Sequence, residues 1–191
     1  QIWLNNQPPT LDSSHILLIL DIRATHTIMP SRKISFVPGE YYHICNRGID
    51  GKVVYEDEKD FARFLFLILY LQSPQSQPHT RASITTFLRS GKFMDENQSH
   101  IIASLRTVSL LCFALMPNHF HLLVREERDG GIPLYLQRIE NAYTRYFNVR
   151  RGRRGHMYQG PFRARHIDTN DQLLYVSAYI HRNPRELREW K

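Results

Sequence analysis

Cysteine is scarce in this 191-residue chain, which contains only Cys45 and Cys112. Each cysteine lies alone within an apolar segment that has the composition of a β-strand. Two isolated thiols cannot form a disulfide framework, and their spacing does not match that of a zinc finger. We therefore expect both thiols to be reduced and buried, as in a cytoplasmic protein.

Long hydrophobic runs are also missing. The apolar stretch at residues 16–20 is far shorter than the roughly 20 residues that span a bilayer. No Lys or Arg precedes this stretch, so it lacks the charged start of a signal peptide. The sequence therefore predicts a cytoplasmic protein without a membrane partner. A length of 191 residues and a hydrophobic content of 42% fit a single globular domain.

Negative charge is in deficit, because 18 Asp and Glu face 25 Lys and Arg and the formal net charge is +7. The excess is concentrated in residues 138–165, where aromatic side chains alternate with arginines. Arginines among aromatic rings can bind phosphates and stack on unpaired bases, which favours single-stranded or structured nucleic acid as the partner. The alternative is a solvated basic surface. The arginines are Arg138, Arg145, Arg150, Arg151, Arg153, Arg154, Arg163 and Arg165.

Residues 1–28 differ from the rest of the chain, because they have a Pro-Pro turn and no amphipathic pattern. Met29 is typical of a start codon, so we expect residues 1–28 to be an extension that is disordered or not native. Residues 29–191 are expected to form the functional domain.

Regular patterns begin near residue 40 and predict an α+β fold with one antiparallel sheet covered by helices. Pro117 and Asn118 predict a turn that makes the two central strands an antiparallel pair. Residues 73–104 have the weakest pattern, with a short helix expected around Phe87 and Leu88. The predicted order is a strand at 41–45, a helix at 57–72, strands at 108–116 and 119–125, a helix from 132, a strand at 162–167, and a helix from 169 that ends at Asn183-Pro184.

The second strand of the predicted pair contains His119 and His121 in an apolar setting. Side chains alternate along a strand, so both imidazoles share one face while Phe120 points to the other. Two imidazoles on one face are half of a site for a divalent metal. The alternative is that both histidines merely face water.

The final helix places Tyr175, Tyr179 and Asn183 at intervals of four, and therefore on one face. Leu173 and Val176 lie on another arc, together with Ile180, and should face the sheet. If the polar face meets the histidine pair, a tyrosine can attack a phosphodiester while a metal polarises it. The alternative is that Tyr179 packs at the helix surface.

Five segments together resemble the single-tyrosine HUH transposases, in particular the REP-associated tyrosine transposases, also grouped as transposase 17-like proteins. They occur in the same order and extend over nearly all of residues 36–184. The segments are 42–48 (YHICNRG), 116–123 (MPNHFHLL), 142–148 (AYTRYFN), 158–163 (YQGPFR) and 179–184 (YIHRNP).

The resemblance implies a ferredoxin-like HUH endonuclease fold, a requirement for Mg or Mn, and cleavage of single-stranded DNA beside a hairpin through a 5′ phosphotyrosine. By matching position, Tyr179 is the nucleophile and His119, His121 and Asn183 are the metal ligands. Tyr143 falls in a different motif, where it serves either DNA binding or the core. The residues expected to bind DNA are Arg47, Arg138, Tyr143, Arg145, Arg150, Arg151, Arg153, Arg154, Arg163 and Arg165.

Several alternatives remain open at this point. The resemblance implies a homodimer, in which the tyrosine acts within its own protomer or across the pair. Members of the family continue beyond Asn-Pro, whereas this chain stops at Lys191, so a truncated C-terminus is expected. A non-catalytic, domesticated hairpin-binding protein is the competing function, and a replication or conjugation nuclease is disfavoured by the motifs around Tyr143 and Phe162.

Overall fold

The structure is a computed structural model that describes residues 34–75, 80–90 and 96–186. The extension expected at residues 1–28 and the last five residues lie outside these ranges. None of the helices in the described ranges is long and apolar enough to cross a membrane. The elements are β1 (Tyr41–Arg47), a 3-10 turn (Ile49–Gly51), α1 (Glu58–Tyr70), α2 (Thr80–Ser90), α3 (Glu96–Leu105), β2 (Val108–Met116), β3 (His119–Glu126), α4 (Gly131–Arg151), β4 (Arg163–Ile167) and α5 (Asn170–Glu186).

The four strands form one antiparallel sheet in the order β2-β3-β1-β4, which confirms the predicted α+β class. Strands β2 and β3 are joined through Pro117 and Asn118, as the turn signal predicted. The carbonyl of Pro117 accepts hydrogen bonds from the backbone N–H groups of Val54 and Tyr55. The turn is therefore held against the segment that leads into α1.

One face of the sheet, which we call the core face, carries Tyr42, Ile44, Phe120 and Leu122, and each of these is at most 1% exposed. They share one hydrophobic cluster with the apolar sides of α1 and α4. Burial of each such side chain contributes roughly 1.5–3 kcal/mol. This cluster makes the sheet a rigid support for whatever its other face carries.

The opposite face, which we call the site face, is assigned by the strand register. Cys45 pairs with His121 and Arg47 pairs with His119, so all four side chains point to the same side. On the other flank of β1, His43 pairs with Arg165 in β4. The site face therefore combines imidazoles with guanidinium groups.

Helix α5 covers only part of the site face. Its residues Leu173, Val176 and Ile180 pack in a second, smaller cluster with Ala114 and Leu123, which confirms the predicted orientation of this helix. The remainder of the site face is left open beside the polar side of α5.

Two parts of the predicted order were incomplete. The segment from 80 to 105 contains two helices, α2 and α3, and Phe87 lies in α2 as expected. The predicted end of α5 at Asn183-Pro184 was wrong, because the helix includes Pro184 and runs to Glu186. A proline in the last turn removes one backbone hydrogen bond, and a helix that continues for only two described residues tolerates that loss.

Candidate active site and nucleic-acid interface

The two histidines of β3 lie side by side on the site face, as their spacing predicted. Their ring centroids are 5.0 Å apart and the rings are nearly perpendicular. His121 is 4% exposed, and His119 lies nearer to solvent. The pair is thus anchored at its buried end and accessible at its outer end.

The orientation of His119 is set by the preceding turn. Its Nδ1 lies 2.7 Å from the side-chain oxygen of Asn118, which can only accept, so Nδ1–H is the donor. Asn118 is held in turn because its side-chain nitrogen donates to the carbonyl of Gly51 at 3.2 Å. With its proton on Nδ1, His119 presents an unprotonated Nε2 to the site.

A third histidine, His43 of β1, joins the pair, and sequence reasoning assigned it no role. It is 6% exposed, its ring stacks on His121 with centroids 5.1 Å apart, and its Nε2 lies 2.9 Å from His121 Nδ1. Strand alternation in residues 41–45 is a signal that could have placed His43 on one face of the sheet. Its partner could not be read because the register with β3 spans 78 residues.

All three imidazoles favour the neutral form. Burial, followed by the charge of Arg165, lowers the pKa of His43 to about 4. Burial and the neighbouring His43 and His119 lower the pKa of His121 to about 3, and burial with Arg47 nearby lowers the pKa of His119. At neutral pH these rings therefore carry lone pairs rather than charges, which is the form that binds metals.

Tyr179 of α5 lies against this histidine cluster. Its ring meets His121 edge-on with centroids 5.6 Å apart, and it meets His43 in the same manner at 6.3 Å. The tyrosine and the histidines come from one chain, so the site needs no second protomer to bring them together. The structure thereby places Tyr179 against one of the two predicted histidines, His121, and against His43.

Asn183, the third predicted ligand, lies one turn beyond Tyr179 in α5 and is 5% exposed. Within the described part of the chain, no group of three His, Cys, Asp or Glu side chains is arranged to hold a metal. A site built here from the two histidines would therefore need an amide or another oxygen donor as well.

Three of the predicted arginines are exposed on the site face itself: Arg47, Arg163 and Arg165. The guanidinium of Arg47 lies above the 3-10 turn at Gly51, where a Cβ atom would come within 2.7 Å of it. Gly51 has φ of +70°, so this position favours glycine for conformational reasons too.

The arginines near the end of α4 fall into two groups. Arg145, Arg153 and Arg154 are exposed, and the guanidinium of Arg153 stacks over the ring of Phe147 at 5.5 Å. Arg150 instead binds Asp57 at 2.7 Å and also pairs with the fully buried Asp60.

Arg151 pairs with both of these carboxylates and with Glu56. These contacts hold α4 to the start of α1, so the positive charges of Arg150 and Arg151 are already compensated within the fold. Their placement favours a structural role over contact with DNA.

Arg138 and Tyr143 are also engaged inside the molecule. Arg138 donates to the carbonyl of Ser73 at 2.7 Å. Tyr143 is 0% exposed, and its hydroxyl donates to the carbonyl of Val54 at 2.7 Å. Of the two roles left open for Tyr143, burial favours the core. Burial therefore removes the Tyr143 hydroxyl from contact with a nucleic acid, and one guanidinium nitrogen of the half-buried Arg138 is already engaged.

Comparison with known proteins adds two kinds of similarity. A family model described as "Transposase IS200 like" matches residues 91–183, whereas no curated protein sequence matches the chain. The fold is similar to that of a REP-associated tyrosine transposase bound to a REP hairpin, with 13% identity, a TM-score of 0.54 and coverage of 85% of this chain and 76% of that chain. A crystal structure of a proposed transposase from Deinococcus radiodurans R1 matches with 14% identity, a TM-score of 0.40 and coverage of 81% and 96%, respectively.

Proposed function

We propose that this chain, whose residues 91–183 match the family model of IS200-like transposases, is a transposase that nicks and rejoins single-stranded DNA beside hairpins, with Tyr179 as the nucleophile. The observation that carries this proposal is the edge-on contact of Tyr179 with His121 on an open, arginine-bearing sheet face. A tyrosine in contact with neutral imidazoles, on a sheet face that also carries exposed guanidinium groups, suits attack on a phosphodiester.

In the proposed step, the phenolic oxygen of Tyr179 bonds to phosphorus and the bond from phosphorus to the 3′ oxygen breaks. The phenolic proton passes to water, and the leaving strand takes up a proton to become a free 3′ hydroxyl. The 5′ end stays attached to Tyr179 as a phosphotyrosine diester. Because one diester replaces another, attack by a new 3′ hydroxyl can reverse the step without an external energy source.

The donors suit a divalent cation such as Mg or Mn, with His119, His121 and Asn183 as the residues that would hold it. The fit rests on the hydrogen bond to Asn118, which leaves His119 Nε2 unprotonated, and on the low pKa of both imidazoles. A bound cation would polarise the phosphodiester and stabilise the charge that develops on its oxygens. The chain itself supplies the pair of histidines on β3. Helix α5 carries both the proposed nucleophile, Tyr179, and the side-chain amide of Asn183.

Hairpin DNA is the proposed substrate, with the open part of the site face as its binding surface. Arg47, Arg163 and Arg165 would contact phosphates close to Tyr179, and the exposed arginines near the end of α4 would extend the contact. The structural neighbour in complex with a REP hairpin supports this choice of ligand. A homodimer is not required for the chemistry, since one chain supplies the tyrosine and the histidines.

The test uses a labelled single-stranded hairpin oligonucleotide with Mn. We expect the wild-type protein to form a covalent adduct with the label, and Tyr179→Phe to form none while it binds the oligonucleotide with unchanged affinity. Tyr175→Phe is the matched control, because it removes a phenolic hydroxyl one turn earlier on the same helix and should leave adduct formation intact.

The same experiment separates the competing function. Hairpin binding by the wild-type protein without any adduct, in Mn or in Mg, would favour the non-catalytic DNA-binding protein. An adduct that persists in Tyr179→Phe would contradict the assignment of the nucleophile.

A further inference from the structure

The hydrogen bond between His43 Nε2 and His121 Nδ1 constrains both rings beyond simple packing. The two nitrogens are 2.9 Å apart, and both residues are more than nine-tenths buried. A neutral imidazole has one N–H and one bare nitrogen, so only one of the two rings can donate in this bond. Which ring donates decides the protonation of the outer nitrogen of His121.

The two arrangements have opposite consequences for His121. If His43 Nε2–H donates, His121 Nδ1 is the acceptor and its Nε2 carries the proton, which removes that nitrogen as a ligand. If His121 Nδ1–H donates, its Nε2 is bare and available. The second arrangement matches what Asn118 does to His119, where an oxygen acceptor also draws the proton to Nδ1.

We propose that His43 is a positioning residue that accepts the proton of His121 Nδ1–H and thereby keeps His121 Nε2 free for a divalent cation. This inference rests on the proposed function, because it concerns the same metal-binding pair. Metal-binding histidines commonly donate their second nitrogen to a neighbouring acceptor, which fixes both the tautomer and the ring orientation. Here the acceptor is the imidazole of His43 on the adjacent strand.

The packing around His43 supports a role in orientation. The stacked rings lie on adjacent strands, and the ring of Tyr179 meets both of them edge-on. The His43–His121 stack is therefore also the surface against which the nucleophile rests. Without His43, the His121 ring would lose both its hydrogen bond and the stacked neighbour that restrains its rotation.

Two substitutions separate hydrogen bonding from packing. His43→Leu removes the acceptor and keeps an apolar side chain of similar bulk. His43→Gln keeps a carbonyl oxygen that can reach about the position of the imidazole Nε2. We expect His43→Leu to weaken Mn binding about 10- to 100-fold, the range for loss of an outer partner of a metal ligand, and His43→Gln to recover most of that loss.

Mn binding is measured directly, by electron paramagnetic resonance of free Mn, without DNA and without any reaction. His121→Ala gives the effect of losing the ligand itself, and His156→Leu controls for removal of one exposed imidazole. Circular dichroism and thermal unfolding establish that each variant is folded. Equal Mn affinity of wild-type protein and folded His43→Leu would overturn the role of His43 while leaving the proposed function in place.

A second measurement tests the hydrogen bond without any metal. Nitrogen-15 spectra of the histidine side chains report which ring nitrogen carries the proton, and His121 should be protonated on Nδ1 in the wild-type protein and in His43→Gln. Protonation of His121 on Nε2 in the metal-free wild-type protein would overturn the inference. The expected tautomer in a protein that binds no Mn would support the hydrogen bond and reject the metal-dependent function.

Discussion

On β3, Phe120 and Leu122 are fully buried on the core face, whereas His119 and His121 alternate with them on the site face, where His121 meets Tyr179. The same strand therefore contributes to the hydrophobic core with one face and to the candidate active site with the other. The core face is covered by α1 and α4, and the site face is covered by α5 only in part. This difference indicates that the core face serves the stability of the fold, whereas the site face is left accessible to a ligand.

The basic residues divide along the same line. Arg150 and Arg151 belong to α4, which covers the core face, and they are paired with Asp57 and Asp60. Arg163 and Arg165, from the same stretch of sequence, lie on the site face and are exposed. One arginine-rich stretch of sequence thus contributes to a structural ion-pair network and to a candidate binding surface.

The largest effect is expected from removing a histidine on the site face. His121→Ala should lower adduct formation by more than about 100-fold, beyond the range for losing only an outer partner of a ligand. Its free energy of unfolding should change little compared with a core substitution. Adduct yield with a labelled hairpin oligonucleotide and urea unfolding measure the two quantities. Wild-type adduct yield in His121→Ala would remove this histidine from the chemistry.

The neighbouring residue on the core face should give the opposite result. Phe120→Ala leaves a cavity between the sheet and α1, and we expect the free energy of unfolding to fall by about 3–5 kcal/mol. At a temperature where the variant is still folded, adduct formation should persist. Urea unfolding provides the measurement. A loss below about 1 kcal/mol would mean that Phe120 is not a principal part of the core.

Asn183 tests whether α5 contributes to metal binding as well as to the nucleophile. Asn183→Ala should raise the Mn concentration needed for half-maximal cleavage by about tenfold, the size of effect expected for losing one contact worth about 1.4 kcal/mol. Binding of hairpin DNA without metal should be unchanged. A Mn titration of adduct formation measures this, and an unaltered titration curve would exclude Asn183 as a ligand.

Substitutions in the two arginine groups should differ in how they change the salt dependence of DNA affinity. Each single-strand phosphate contact contributes about 0.7 to the slope of log affinity against log salt. Replacing Arg163 and Arg165 together with alanine should therefore reduce the slope by up to about 1.4. The matched pair Arg150→Ala and Arg151→Ala should leave the slope unchanged and lower the stability. Binding titrations from low to high salt distinguish the groups, and equal slopes for both double variants would contradict the division.

The smallest effect concerns pH and the ion pairs between α1 and α4. Hydrogen bonding to Arg150 is the main cause that lowers the pKa of Asp57 well below its usual value. A carboxylate with a lowered folded-state pKa stabilises the fold above its ordinary pKa of 3.8, and that contribution is lost as the pH falls through and below that value. The urea midpoint should drop between pH 6 and pH 2.5 more steeply in the wild-type protein than in Asp57→Asn. Identical pH profiles would contradict this role for the ion pair.

Sequence patterns predicted the strands more completely than they predicted the contacts within the candidate site. Alternation in β3 and four-residue spacing in α5 were enough to predict which side chains share a face, because these periods follow from backbone geometry alone. The role of His43 could not be predicted in this way, since it depends on the register between β1 and β3. Likewise, the charge of Arg150 is compensated by acidic residues about 90 positions earlier, which no local pattern reveals.

The most direct test of the central claim is to map the covalent adduct. After reaction with a hairpin oligonucleotide and Mn, the protein is digested and the peptide that carries the nucleotide is identified by mass spectrometry. A nucleotide on Tyr179 is the expected result. A nucleotide on Tyr175 or Tyr146, with Tyr179 unmodified, would contradict the claim that the tyrosine beside the histidine cluster is the nucleophile.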